Sequence, residues 1–574
     1  MIRTARLEPV SPRRRRLIRR GGPLVLAGVA LAAAGVGTWV ARPASQDEQA
    51  VGRWVAAWAA GDYPAMYEEL SPGARERFGR AEVGRAHRRA NATATLREVR
   101  AVGLRRRDDV VEADLLLSTR VFGDLERTLR VPLEAERVAW RPSLVFPGLR
   151  DGTRLRRTSD VPRRAPILAR DGRTLAEGAA ELRTPGENGL GVGIAGVLGP
   201  APTERERRRR YAMGFRADTW IGLSDLERVL ERRLAGRPGG VLTSGSRVLA
   251  SSPARPAPPV RTSIDPGVQA AAVSALAGRL GGVAAVDALT AEVRALAGLA
   301  FSAPQPPGST FKIITATAAL EDGLARAGTR FPVQTQAVLE GVPLENANGE
   351  RCGGTFVEAF AHSCNSVFAP LGVRVGARRL ADAARRYGWG ERPPLAGARP
   401  ATMPAPEAIG GPLALGSTAI GQGKVLATPL TMALVAHTVA AGGLRRTPTV
   451  TGGPGRARRV TSPAVARTLE RMMVRVVEEG TGTRASLHPV RVAGKTGTAE
   501  LEDTTPEGEP APASEEPPGY RTNAWFTAYA PLRTPRLAVA VMLVRGGAGG
   551  DTAAPAARLV LEAGLRAPEG ESRD

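Results

Sequence analysis

Pro307-Gly308-Ser309-Thr310-Phe311-Lys312-Ile313-Ile314 is the stretch from which the rest of the chain can be read. A Pro-Gly pair punctuates the chain just ahead of a run that predicts a buried helix from Ser309 to about Leu320. Positions i and i+3 share a helix face, so Ser309 and Lys312 point at one volume. A serine hydroxyl is a weak nucleophile until a neighbouring base takes its proton, and a lysine can be that base only where burial lowers its pKa. Lysine is scarce elsewhere: of 80 Lys and Arg residues only Lys312, Lys424 and Lys495 are lysine. Arginine cannot give up its proton in a protein, whereas lysine can. The competing reading is a helical cation beside an incidental serine, and S-x-x-K alone is too short to choose between them.

Two further short motifs follow. Ser363-Cys364-Asn365 falls in a helical region after Gly353-Gly354. Lys495-Thr496-Gly497-Thr498 ends a strand that starts near Pro489 and is followed by Ala499-Glu500. Standing alone, Ser363 and Asn365 would read as a helix cap and Lys495-Thr496-Gly497 as a strand end with a turn. His362 invites a role as a base, and Lys424 one as a second cation, but each reads as well as surface or packing. Four scattered histidines offer no metal-ligand cluster, and no cofactor is implied.

Length and composition set the frame. A chain of 574 residues, 43% hydrophobic, holds several globular domains. The net charge of +24 does not mark a nucleic-acid binder, because the arginines are scattered and the densest runs, 13–16 and 207–210, lack interleaved aromatics. An anionic membrane or wall surface accounts for it better, with solubility alone as the alternative. The basic cluster Arg13–Arg20 precedes an uncharged run, Gly21–Ala41. That run is long enough to cross a hydrocarbon core of about 30 Å, whereas a cleaved signal peptide has a core of only about 7–15 residues. The expectation is a cytoplasmic tail at 1–20, a transmembrane anchor at 21–41, and the remainder outside the cell.

After the anchor, residues 46–150 open with a helical stripe, Val51, Trp54, Val55 and Trp58, broken at Gly61-Asp62. Strands are expected at Val110–Leu117, Leu125–Leu133 and Val138–Val145, which makes a small α+β domain. His87 sits alone among arginines there, and nothing in the domain reads as catalytic. In residues 154–250, Ala165–Gly172 reads as a strand ending in an Asp-Gly turn, and Ser224 with Glu227 has the spacing of a capping box. Ser251–Pro259 reads as a linker. From Val260, a hairpin of Gly282–Asp287 and Glu292–Ala297 precedes the Ser309 helix. Mostly helical segments are expected to about Gly480, followed by strands at Pro489–Ala493, Asn523–Tyr529 and Arg536–Arg545 and a last helix at Ala553–Leu565. Two strands early and three late imply one antiparallel sheet with a helical insertion, and Thr504–Gly519 reads as a mobile loop.

The three motifs in this order resemble the signature of the penicillin-binding protein transpeptidases, specifically the monofunctional, membrane-anchored class B kind. Gly421-Gln422-Gly423 with Thr428-Pro429-Leu430, Gly480-Thr481-Gly482, Ala524-Trp525-Phe526 and Ala530-Pro531 extend the likeness over Val260–Leu565. More loosely, Gln46–Leu149, with Trp140-Arg141-Pro142-Ser143, resembles an NTF2-like domain, and Arg154–Ala250 is similar to the pedestal or dimerisation domain of class B proteins. The resemblance implies a multidomain α+β chain. A serine β-lactamase/transpeptidase-like domain at 260–565, with a five-stranded antiparallel sheet flanked by helices, would follow the NTF2-like and pedestal domains.

It also implies roles. Ser309 would attack the D-Ala-D-Ala carbonyl of a peptidoglycan stem peptide, and would be acylated by β-lactams. Lys312 would take the serine proton, Ser363 and Asn365 would relay protons and hold the substrate amide, and Lys495 would keep Lys312 neutral through its like charge. Thr496, Gly497 and Thr498 would bind substrate, with the N–H groups of Ser309 and Thr498 as oxyanion hole. A membrane glycosyltransferase would be the partner. Two other readings compete: a β-lactamase, and a β-lactam sensor or non-catalytic scaffold. The lack of any Asn between Asn365 and Lys495 argues against the best-known hydrolases. Cys352 and Cys364 flank the second motif, and an oxidising compartment allows either a disulfide between them or two buried thiols.

Overall fold

The computed structural model describes residues 45–186, 191–500 and 521–566. The expected anchor at 21–41 and the expected mobile loop at 504–519 lie outside these residues. Among the described residues no helix is long and apolar enough to cross a membrane. The chain divides into two compact units, one ending at Arg157 but including Leu242–Ala250, the other comprising Thr158–Val241 and the chain from Ser251.

In the first unit, helix α1 (Gln46–Ala60) starts at a capping box made by Ser45 and Glu48 and stops at Gly61, which takes the left-handed conformation. Its inward stripe is Val51, Trp54, Val55 and Trp58. Helix α2 (Arg80–Ala94) turns His87 inward. A meander follows: β1 (Leu96–Arg107), β2 (Val110–Thr119) and β3 (Asp124–Glu134) pair as antiparallel neighbours. On β2 every second residue from Val111 to Thr119 is buried, as its alternation predicts. The expected strand at 138–145 is only Arg137–Val138, because the chain turns into a 3-10 helix at Pro142–Val145, where proline supplies no ladder donor.

The second unit begins with short strands around the Asp171-Gly172 turn, Ile167–Leu168 and Thr174–Ala176. The capping box expected at Ser224 is absent. The Ser224 hydroxyl accepts instead from the Val197 N–H, and the Glu227 carboxylate is held in a buried ion pair by Arg164 and Arg183. One apolar cluster runs from Ile167, Leu175 and Leu234 through Val260 into the helices around Ser309.

The rest of the second unit is built on a five-stranded antiparallel sheet. Strands β4 (Gly281–Asp287) and β5 (Val293–Gly298) form the early hairpin. Helices α3 (Lys312–Glu321), α4 (Phe356–Ala361), α5 (Asn365–Val375), α6 (Pro429–Ala440) and α7 (Pro463–Glu478) follow. The chain then returns as β6 (Ala493–Glu500), β7 (Thr522–Ala530), β8 (Leu537–Leu543) and helix α8 (Ala554–Leu565). The strand order β5-β4-β8-β7-β6 leaves β6 at an edge. Both faces are covered, which is why β8 is apolar throughout. Ala538, Ala540 and Met542 face the cluster of α3 and α6, and Leu537, Val539, Val541 and Leu543 face α8.

The stretch expected to be helical to Gly480 also contains small two-stranded sheets, Arg330–Gln334 with Cys352–Thr355 and Gln336–Leu339 with Val342–Glu345. The strand expected from Pro489 begins only at Ala493.

Candidate active site

The Ser309 turn is built by close backbone approach. Gly308–Phe311 is a 3-10 turn leading into α3, so the expected helix is present but its first turn is tighter than an α-helix. Gly308 has φ +52°, and a side chain there would meet the Thr498 carbonyl oxygen at 2.6 Å. A Cβ at Gly497 would lie 2.7 Å from the Pro307 carbonyl oxygen. Two bare backbones therefore bring the edge strand β6 against the serine turn. The Gly308 N–H also donates to the Gly421 carbonyl at 3.0 Å. Ser309 is half-buried, and its hydroxyl makes no hydrogen bond among the described residues.

Lys312 is fully buried one turn on. Its Nζ donates to the Ser363 carbonyl at 2.6 Å, to Asn365 Oδ1 at 2.6 Å and to Ser363 Oγ at 3.3 Å. Asn365 opens α5 without capping it, since its amide donates to the Glu345 carbonyl at 2.7 Å. Lys495, also buried, lies within β6 and reaches Ser363 Oγ at 2.9 Å and the Thr496 carbonyl at 3.1 Å. Two lysine amines from distant parts of the chain thus share one serine hydroxyl. Each also lies 5.5 Å from a phenyl ring, Lys312 from Phe368 and Lys495 from Phe360.

Electrostatics follow from this burial. Desolvation, with the charge of Lys495 second, lowers the Lys312 pKa well below the usual lysine range. Desolvation pulls Lys495 down to about 7. Among the described residues no carboxylate pairs with either lysine, in contrast to the arginine-rich ion pairs found elsewhere.

Ser363 itself adopts φ +60°, a left-handed conformation uncommon outside glycine. Cys352 and Cys364 are disulfide-bonded with Cα atoms 5.4 Å apart, which ties the turn to the strand Cys352–Thr355. Thr496 is buried, with its hydroxyl 2.5 Å from that of Thr481. Thr498 is exposed at the sheet edge, and its hydroxyl accepts from the Gly549 N–H at 3.3 Å. His362 and Lys424 are exposed and stand outside the cluster's hydrogen bonds.

The structure therefore brings Lys312, Ser363, Asn365, Lys495 and Thr496 into one hydrogen-bonded assembly, with Ser309 and Thr498 on elements in contact. Sequence reasoning overlooked Phe360, Phe368 and the Thr481 hydroxyl. The phenylalanines fall at helical spacing and read as ordinary core, and the contact of Thr481 with Thr496, unlike its place in the family likeness, becomes visible only when the loop before β6 folds back.

The model of the penicillin binding protein transpeptidase domain matches residues 281–562, the span that contains the serine, both buried lysines and the whole sheet. Those residues belong to the penicillin-binding protein transpeptidase family. Among curated proteins, the chain is similar to the peptidoglycan D,D-transpeptidase PbpA of Mycobacterium tuberculosis, at 38% identity over 298 residues, covering 46% of this chain and 56% of that protein. It is similar also to PbpA of Mycolicibacterium smegmatis, at 37% over 294 residues, covering 46% and 56%. The matches thus span about half the length of these relatives.

Among solved structures, the penicillin G acyl-enzyme complex of penicillin-binding protein A from M. tuberculosis is 29% identical with a TM-score of 0.54, covering 70% of this chain and 100% of that one. Pseudomonas aeruginosa PBP2, 24% identical with a TM-score of 0.61 over 73% of this chain and 98% of that one, shares the fold. The transpeptidase-type fold expected for the penicillin-binding domain is thereby established.

Proposed function

We propose that the protein is a class B peptidoglycan D,D-transpeptidase that works through a Ser309 acyl-enzyme. The observation that carries the reading is the convergence of the Lys312 and Lys495 amines on the Ser363 hydroxyl, beside the turn that holds Ser309. The neutral Lys312 amine takes the Ser309 proton. Ser309 Oγ bonds to the carbonyl carbon of the penultimate D-Ala, and the amide C–N bond breaks. Ser363 passes a proton to the leaving nitrogen, which departs as D-Ala. Asn365 holds the substrate amide, and the N–H groups of Ser309 and Thr498 receive the oxyanion. Thr496 and Thr498 bind the terminal carboxylate. The amine of a second stem peptide then attacks the ester carbon, forms the cross-link and restores the Ser309 hydroxyl. A β-lactam acylates Ser309 by the same first step.

The N-terminal architecture belongs to this reading. Gly21–Ala41, behind the basic cluster Arg13–Arg20, supports a single membrane anchor with the enzyme outside the cell. Helices followed by an antiparallel meander support an NTF2-like domain at 46–150, with a pedestal domain at 154–250 and the transpeptidase domain at 260–565. None of these domains supplies glycan polymerisation, so a membrane glycosyltransferase is the expected partner.

Labelling with fluorescent penicillin, followed by a D-Ala release assay on a stem pentapeptide, tests the function. Labelling of the wild type, none of Ser309→Ala, and D-Ala release are expected. Labelling without release would replace the enzyme by a β-lactam sensor, and no labelling would overturn the reading.

A further inference from the structure

The loop Gly480-Thr481-Gly482 lies between α7 and β6. Its Thr481 N–H donates to the Ala361 carbonyl at 3.2 Å, two residues before Ser363. Its hydroxyl lies 2.5 Å from Thr496 Oγ1, beside Lys495. Thr481 thus spans the second and third motifs, and among the described residues it hydrogen-bonds to neither Ser309 nor either lysine.

The direction of the hydroxyl–hydroxyl bond decides what Thr481 does. Among the described residues the other acceptor bonded to its Oγ1 is the Ala361 carbonyl at 3.5 Å, at the outer limit of a hydrogen bond. At 2.5 Å the Thr496 oxygen is much the better acceptor for the Thr481 proton. A carboxylate only accepts hydrogen bonds, so a Thr496 hydroxyl that serves it must donate. Thr496 can do so without losing its contact with Thr481 only if Thr481 is the donor between them. Thr496 is 5% exposed, so water cannot readily take Thr481's place.

We propose that Thr481 is a positioning residue that donates its hydroxyl proton to Thr496, fixing the Thr496 hydroxyl as a donor to the carboxylate of the acyl donor. The inference rests on the transpeptidase reading and deepens it, because it makes selection for a free carboxylate depend on a residue outside the three motifs.

The test compares acylation of the full chain by benzylpenicillin with acylation by its methyl ester, which lacks the anionic acceptor. Thr481→Val keeps the side-chain shape and removes the donor. Its second-order acylation rate should fall about tenfold with the acid, the scale of one hydrogen bond to a charged group, and change little with the ester. Thr481→Ser should restore the acid rate. Wild-type acid kinetics in Thr481→Val, or an equal loss with acid and ester, would overturn the proposal. Should valine prevent folding, Thr481→Cys, with a thiol that donates weakly, carries the same comparison with the same criteria. An unlabelled wild type would instead sink the transpeptidase reading itself, which separates the two failures.

Discussion

Lys312 and Lys495 both donate to Ser363, yet the proposed chemistry asks opposite things of their protons. Lys312 must be neutral to act as base, and its pKa is lowered by burial and then by the charge of Lys495. Lys495 must be charged to exert that effect, and burial brings it down to about 7. The neutral fraction of Lys312 grows as pH rises through its depressed pKa, and the charge of Lys495 is lost as pH rises past about 7. Acylation by penicillin should therefore rise and then fall with pH, with the alkaline limb near neutrality. A rate that climbs steadily to pH 9 would refute the assignment of Lys495. Lys312→Arg places there a guanidinium that cannot release a proton. It should lose about 10²–10⁴-fold in acylation rate, the usual worth of a general base, while circular dichroism shows a folded chain.

At the scale of elements, the site depends on how closely β6 approaches the Ser309 turn. A methyl group at Gly497 would meet the Pro307 oxygen at 2.7 Å and Thr310 Cγ2 at 3.0 Å. Gly497→Ala should push the strand off the turn and slow penicillin acylation by more than about tenfold, since misplacements of about 1 Å can cost a hundredfold. Gly423→Ala is the control. Its φ of +67° carries strain, but its Cβ would meet nothing within 4 Å, so acylation should survive. Equal effects of the two changes would remove the close-approach argument. The motif letters made the site legible because each names a side chain whose chemistry is singular. The elements that carry them were less legible. Strand β1, the first of its meander, has one buried residue, Val99, among solvated arginines and shows no alternation to read. The Ser224–Glu227 spacing imitated a cap because local spacing cannot reveal that Arg164 and Arg183 claim the carboxylate.

For the whole molecule, stability should fall with acidification before the carboxylates titrate. Burial lowers the pKa of His87, in the first unit, to about 3, and that of His437, in the second, to about 4. Both are depressed below the unfolded value near 6.5. The unfolded chain therefore takes up protons that the folded chain refuses as pH drops below that value. Each histidine's contribution is intact above about pH 6.5 and is lost on the way down, at about 1.4 kcal/mol per pH unit. Denaturant midpoints measured between pH 7 and 5 should decline in both units, and a flat profile would contradict the burial of these rings. The sequence placed His87 alone among arginines. Folding instead surrounds it with Trp54, Trp58 and Trp140, and Trp140 Nε1 donates to its Nε2 at 3.1 Å.

The near absence of lysine has a practical side. Two of the three primary amines on side chains are sealed inside the transpeptidase domain, and the third, Lys424, stands in solvent. Aside from any terminal amine, an activated ester added to the native protein therefore meets a single side-chain target. A dye or a surface tether can be attached at one defined position on the unaltered sequence, leaving the interior pair unmodified.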